Sequence, residues 1–147
     1  MRNLKIYTSC SANPNTRFGA YAFFIYDNET VVKSDGGWCT DTTTNRMELT
    51  ALIEALKLVE HDDKVMFTTA NSYILYLFKP KFRKSNLDLW DELDSLISKT
   101  GAKYFKPFDK ISKIRLSLCK EKAREMFDSI NNTVSTLKQY EEAKCRH

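Results

Sequence analysis

The chain opens with apolar and polar positions that alternate, a pattern typical of β-strands. Leu4–Thr8 alternates and is rich in β-prone residues, so it predicts a first strand. An aromatic-rich run at Ala20–Asp27 predicts a second strand, and Asn28 and Glu29 have the composition of a hairpin turn. Thr30–Cys39 then predicts a third strand, with an end or a bulge at Gly36 and Gly37. Three strands joined by short connections favour an antiparallel meander.

Helical spacing replaces this alternation after residue 42. Threonines 42–44 offer side-chain oxygens for an N-cap, and the apolar positions that follow recur every three or four residues. This spacing predicts a core helix with a wide buried stripe. Its members are Met47, Leu49, Ala51, Leu52, Ala55, Leu56 and Val59.

The second half of the chain predicts two further strands and three further helices. Lys64–Thr69 reads as the fourth strand, and residues 71–79 read as a short buried helix before Pro80. A capped helix over residues 86–100 ends at Gly101, and residues 102–108 supply a fifth strand. A long helix is predicted from Leu116 to Ala143.

This order of elements predicts the α/β class. Strands separated by helices favour parallel crossovers, whereas the leading meander is antiparallel. We therefore expect a mixed five-stranded sheet flanked by helices, with a long C-terminal helix. The length and the absence of a linker predict one domain over residues 1–147.

Composition and charge narrow the function classes. The chain is 42% hydrophobic and 29% charged, with no membrane-length apolar run and no signal-peptide pattern, so we expect an intracellular protein without a membrane partner. The cysteines show no CxxC spacing, which argues against a zinc knuckle. Residues 79–124 carry 13 basic and 6 acidic side chains, net +7, against +4 for the whole chain. Such a block is typical either of a polyanion-binding face or of a solvated lysine-rich surface.

Several segments together resemble ribonuclease H type 1. They occur in that family's order and spacing, over about residues 3–130, and leave residues 131–147 as a C-terminal helix extension. The segments are KIYT…SCSANP, TTNRMELTALIEAL, FTTANSYIL, NLDLWDELDSLI and CKEKARE. The resemblance implies the RNase H-like fold and hydrolysis of the RNA strand of RNA–DNA hybrids, with four carboxylates holding two Mg²⁺ ions.

Only one of the implied metal ligands has a carboxylate counterpart. Glu48 matches the family pattern, but Ser9, Ala70 and Lys120 stand where the resemblance implies aspartates, and Phe108 stands where it implies a histidine. Mg²⁺ requires oxygen ligands, and one carboxylate cannot hold an ion pair of total charge +4. We therefore expect no bound metal and no cofactor. Lys120 would repel a cation and is a candidate ion-pair partner for Glu48.

This ligand count predicts a pseudoenzyme. It would bind an RNA–DNA hybrid, double-stranded RNA or another structured nucleic acid without cleaving it. One alternative is a protein-interaction, regulatory or structural subunit that reuses the fold. A second alternative is a residual hybrid ribonuclease with rearranged ligands, recruited from Asp41, Asp109 or Glu121.

The resemblance also implies nucleic-acid contacts. Asn13, Asn45 and Ser72 match positions that contact the hybrid, although Asn13 also suits an Asx turn and Asn45 a helix cap. The stretch KPKFRKSN occupies the place of the family's basic protrusion, and its cations suit phosphate contacts. They are Lys79, Lys81, Arg83 and Lys84.

Overall fold

The computed structural model describes residues 1–136. Two short 3₁₀ segments, Tyr73–Phe78 and Pro80–Phe82, follow the fourth strand. The remaining elements, in chain order, are β1 Asn3–Asn13, β2 Phe18–Asp27, β3 Thr30–Cys39, α1 Thr44–Leu56, β4 Lys64–Thr69, α2 Leu87–Thr100, β5 Lys103–Tyr104 and α3 Lys110–Thr136.

The five strands form one mixed sheet in the order β3-β2-β1-β4-β5. β1 is antiparallel to β2 and parallel to β4, β2 is antiparallel to β3, and β4 is parallel to β5. The predicted fold class is therefore confirmed. Because β1 runs parallel to β4, the C-terminal end of β4 at Thr69 lies beside Thr8, and β1 continues beyond it to Asn13.

The two faces of the sheet are covered by different helices. α1 and α2 cover one face, where Leu4 and Ile6 of β1 join a core with Leu49, Leu52 and Trp90. α3 packs across β1 and β2 on the other face, where Ala22, Cys119 and Ala123 form a smaller buried cluster. This division follows from strand geometry, since successive side chains point to opposite faces.

Local hydrogen bonds explain where the helices begin and end. The Oγ1 atom of Thr43 accepts from the backbone N–H of Arg46 at 3.1 Å, which caps α1 as the threonine run predicted. Gly101 ends α2 with φ +70°, a left-handed conformation that glycine adopts without strain. No helix in the described part of the chain is both long enough and apolar enough to span a bilayer.

Several element predictions differ from the structure. The fifth strand, predicted over residues 102–108, is limited to Lys103–Tyr104, and β2 begins at Phe18, two residues before its predicted start. β1 continues from Thr8 to Asn13, because its pairing with β2 extends to Asn13 and Phe18. The segment after β4 is a 3₁₀ helix in which only Ile74 is buried. α3 begins at Lys110, six residues before the predicted start, because Asp109 caps it through Ser112 N–H at 3.0 Å. The predicted end of this helix, with residues 137–147 of the extension, lies outside the described residues.

Candidate active site

Glu48 lies in α1 with only 2% of its surface exposed. Its Oε2 atom accepts a hydrogen bond from the backbone N–H of Ile74 at 2.6 Å, so α1 is tied to the segment that follows β4. Its Oε1 atom has no hydrogen-bond partner among the described residues. A buried oxygen without a partner is costly to maintain and is a feature expected of a functional site.

The surroundings of Glu48 are polar but carry little charge. Burial raises the pKa of Glu48 to about 7, although the Ile74 N–H and the Asn71 amide act in the opposite direction. Asn71 also donates to the Sγ atom of Cys10 at 3.3 Å. Burial, with a smaller effect from Glu48, raises the pKa of Cys10 to about 12, so the thiol stays neutral. A carboxyl group with a pKa near 7 exchanges its proton near neutral pH, which suits general acid–base chemistry.

The structure brings the three other implied ligand positions to the same end of the sheet, on three elements. Ser9 is buried in β1 with 3% exposed, and Ala70 directly follows β4, where its N–H donates to Thr8 O at 3.3 Å. Lys120 follows Cys119, whose Sγ atom donates to Tyr7 O at 3.4 Å. The residues at these positions nevertheless carry a hydroxyl, a methyl and an ammonium group.

The ion pair considered for Lys120 does not form. Lys120 is exposed to solvent, and no ion pair joins it to Glu48 in the structure. Burial, rather than a neighbouring cation, therefore dominates the electrostatics of Glu48.

The described residues do not fit a pair of Mg²⁺ ions. No group of three or more His, Cys, Asp or Glu side chains within residues 1–136 has the arrangement of a metal site. Asp41 and Glu121 are exposed, and Asp109 caps α3, so none of these three forms a carboxylate cluster with Glu48. We assign no reaction step to a metal on this basis.

Asn13 and Asn45 line a common cavity of about 320 Å³. Asn13 Oδ1 accepts from Asn15 N at 2.8 Å and from Thr16 N at 3.3 Å, so it forms the Asx turn that the sequence allowed. Asn45 is exposed and is not the cap of α1, a position that Thr43 occupies. The amide of Asn45 is therefore the more available of the two for a ligand.

The basic stretch divides into structural and available cations. The guanidinium of Arg83 binds the carboxylate of Asp94 at 2.5 and 3.2 Å, donates to Tyr76 O at 3.1 Å and stacks over Trp90 at 4.1 Å. Only 8% of the Arg83 side chain is exposed, so its role is to hold the stretch against α2. The available members are exposed and form no ion pair in the described structure: Lys79, Lys81 and Lys84.

Ser72 is exposed at the start of the first 3₁₀ segment. It lines a shallow cavity of about 250 Å³ together with Leu75, Tyr76 and Lys79. The structure thus places Ser72 beside the basic stretch, whereas Asn13 and Asn45 lie in a separate cavity.

Sequence reasoning missed two polar contacts that support the site. The hydroxyl of Tyr73 accepts from Trp90 Nε1 at 3.0 Å and from Asn86 Nδ2 at 3.1 Å, which ties the 3₁₀ segment to α2. Arg46 binds both carboxylate oxygens of Asp88, at 2.8 and 3.0 Å, and so joins α1 to α2. Tyr73 and Arg46 lie inside the quoted motifs, but only the fold reveals their partners.

A buried glutamate where α1 meets β1 and the segment that follows β4, on a β3-β2-β1-β4-β5 sheet, defines an α/β protein of the ribonuclease H-like architecture. The RNase H family model matches residues 1–106. A Ribonuclease H from Ehrlichia chaffeensis is 39% identical over 112 residues, 65% of this chain and 75% of the relative. One from Caldicellulosiruptor saccharolyticus is 32% identical over 143 residues, 86% of this chain and 97% of the relative. The chain belongs to the RNase H family.

Solved structures support the fold independently. The N-terminal RNase H domain of a Mycobacterium tuberculosis protein, solved as a fusion with maltose-binding protein, has a TM-score of 0.67 at 14% identity. The match covers 89% of this chain and 99% of the solved chain. RNase H1 from Halobacterium salinarum NRC-1 has a TM-score of 0.64 at 15% identity, over 84% and 98% of the two chains. At these identities the likeness shows the fold alone.

The comparisons correct the predicted function. The prediction of a pseudoenzyme, and thus of a non-enzyme, is wrong against relatives at 32–39% identity that are named Ribonuclease H. That prediction rested on the missing carboxylates at Ser9, Ala70 and Lys120, and the finding favours the second alternative, a hybrid ribonuclease. The assignments of Ser9, Ala70 and Lys120 as lost ligands, and the expected absence of a cofactor, stay predictions.

Proposed function

We propose that this protein is a ribonuclease that cleaves the RNA strand of RNA–DNA hybrids. The observation that carries the proposal is Glu48, which is retained in a chain of the RNase H family and buried where α1 meets the segment that follows β4. The relatives named Ribonuclease H support the reaction class.

The binding surface of this proposal has two parts. Lys79, Lys81 and Lys84 are available for phosphate contacts, which supply sequence-independent affinity. The exposed amide of Asn45 borders the cavity beside α1 and suits a contact with a 2′-hydroxyl group, the feature that distinguishes RNA from DNA. Arg83 acts as a positioning residue, since its guanidinium is fully engaged within the fold.

The test is a cleavage assay with an RNA–DNA hybrid whose RNA strand carries a fluorophore. The purified protein is assayed with Mg²⁺, with Mn²⁺ and with EDTA, and the RNA fragments are resolved on a gel. We expect the RNA strand to be cut, and Glu48→Gln to slow cutting by at least about 100-fold, the scale of one acid–base group. RNA that stays intact in all three conditions would overturn the proposal.

A matched control separates loss of chemistry from loss of folding. Glu54→Gln makes the same substitution six residues further along α1, where Glu54 forms an ion pair with Lys57. We expect this variant to cut the hybrid like the parent protein. Circular dichroism of both variants checks that α1 still forms.

A further inference from the structure

A groove lies on the sheet face that α3 covers only in part, among side chains with no assigned function. Its volume is about 610 Å³. The sheet supplies its floor, and the start of α3 forms one wall. We call it the lysine groove; the lining residues that matter here are Lys5, Lys64, Met66, Lys103, Ile111 and Arg115.

Strand register places three lysines around one methionine. Lys5 pairs with Met66, and Met66 pairs with Lys103, so the two lysines flank Met66 in one row across β1, β4 and β5. Lys64 precedes Met66 by two residues in β4 and therefore points to the same face. At about 4.8 Å per strand, Lys5 and Lys103 attach about 10 Å apart.

These lysines lack ion-pair partners, whereas the acids of the groove are already engaged. No ion pair within the described residues includes Lys5, Lys64 or Lys103. Asp63 binds Arg2 through two hydrogen bonds of 2.8 and 3.0 Å, and Asp109 caps α3. Lys5 lies over the Phe105 ring at 5.4 Å, and hydrogen bonds from Ser112, helped by the charge of Lys5, lower the pKa of Asp109. Lys64 and Lys103 make no such contact in the described part of the chain, so an anionic ligand gains from these two lysines and adds to the field of Lys5.

An apolar surface continues from the groove onto α3. Met66 is 39% exposed on the floor, and Ile111 is 58% exposed at the wall. Ile114 and Leu118 follow Ile111 at helical spacing and are also exposed, at 50% and 46%. An exposed apolar stripe beside unpaired cations is typical of a protein-binding surface.

We propose that the lysine groove binds an acidic segment of a partner protein, with an apolar side chain of that segment seated on Met66 between two carboxylates. The charge of the groove selects a polyanion, and Met66 with Ile111 selects against a bare phosphate chain, which has no apolar group to bury. The proposal goes beyond hybrid cleavage, and its residues are distinct from those of the proposed hybrid-binding surface.

The test uses the full chain and a fluorescein-labelled peptide, Asp-Leu-Asp-Phe-Asp-Glu-Ile-Asp-Leu-Asp, in a fluorescence anisotropy titration. A peptide with lysine at every acidic position and a single-stranded DNA decamer serve as comparison probes. We expect binding of the acidic peptide, and affinity lower by at least about tenfold in the Lys5→Glu, Lys103→Glu double variant. We also expect Met66→Asp to lower the affinity for the acidic peptide, because it removes the apolar contact and adds a negative charge.

The matched control is the double variant Lys99→Glu, Lys113→Glu. Both lysines are exposed and outside the groove, so this variant makes the same change in net charge and is expected to bind like the parent. No binding of the acidic peptide would overturn the proposal. So would an equal loss in the control variant, or groove-dependent binding of the DNA decamer alone. Hybrid cleavage, measured in parallel, is expected to be unchanged in the groove variants, which separates this proposal from the proposed function.

Discussion

Burial of the Glu48 carboxyl group links the candidate site to the stability of the fold. The group has a pKa near 7 in the folded protein and near 4.5 when exposed. The unfolded chain therefore releases this proton at a lower pH than the folded chain does. Between these two values, a rise in pH favours the unfolded state.

We therefore expect the free energy of unfolding to fall by about 3 kcal/mol from Glu48 alone as the pH rises from 4.5 to above 7. Below pH 4.5 the group is protonated in both states and contributes no slope. Glu48→Gln removes this dependence, since the amide does not titrate. Urea denaturation of both proteins between pH 4 and pH 8 gives the comparison, and parallel curves would contradict the prediction.

Gly36 is a second residue whose replacement has a defined cost. A Cβ atom there would lie 2.5 Å from the backbone oxygen of Tyr21, in the neighbouring strand β2. That oxygen cannot move without disturbing the pairing of β2 and β3. We expect Gly36→Ala to lower the free energy of unfolding by roughly 1–3 kcal/mol, the range for overpacked sites.

Gly101→Ala is the comparison variant for Gly36→Ala. A Cβ atom added at Gly101 would have no atom within 4 Å, but the backbone φ of +70° costs alanine about 1 kcal/mol in conformational strain. Denaturant midpoints of the two variants separate a steric cost from a conformational one. A Gly36→Ala variant that is as stable as the parent protein would contradict the predicted clash.

At the scale of elements, the basic stretch after β4 combines an anchor with available cations. Arg83→Ala removes the contacts to Asp94, Tyr76 O and Trp90, and we expect a loss of about 1–3 kcal/mol in stability. Lys81→Ala alters an exposed side chain, so we expect a stability change below about 0.5 kcal/mol and weaker hybrid binding. Thermal unfolding and hybrid anisotropy, measured on both variants, check this division of roles.

The elements also show how far periodicity carries a prediction. β4 has the predicted bounds, because its composition and flanking turns mark both ends. β3 also spans Thr30–Cys39, but Gly36 and Gly37 pair in register with β2, where an end or a bulge was predicted. The start of α3 was missed, because the Asp109 cap lies before the apolar stripe that defined the predicted helix. The 3₁₀ segment Tyr73–Phe78 is held by tertiary hydrogen bonds of Ile74 and Tyr73, which periodicity does not reveal.

For the candidate site, the sequence identified individual residues but not the contacts that surround them. Glu48 was found because its motif is dense and continuous. The contact of Asn71 with Cys10 joins residues that are 61 apart, so it follows from the alignment of β1 with β4 and not from any local pattern. The contacts of Arg83 with Asp94, Tyr76 and Trp90 were also missed, because an arginine among lysines suggests an exposed surface cation.

At the scale of the whole molecule, the number of phosphate contacts determines how strongly the affinity for nucleic acid depends on salt concentration. We expect hybrid affinity to fall steeply between 50 and 200 mM salt, because each phosphate contact releases a counter-ion. The triple variant Lys79→Ala, Lys81→Ala, Lys84→Ala is expected to reduce the log–log slope by about 3. Anisotropy titrations at four salt concentrations give both slopes, and equal slopes would show that these lysines do not contact phosphates.

The central place of β1 in the sheet has a consequence for synthesis of the chain. β2 and β3 leave the ribosome directly after β1 and can pair with it at once, whereas Lys64, the partner of Asn3, is translated much later. A nascent chain that ends before β4 therefore presents one side of β1 as an open edge, which is prone to association with other strands. The late arrival of β4 closes that edge, and we expect β4 pairing to be the step that commits the nascent protein to its native topology.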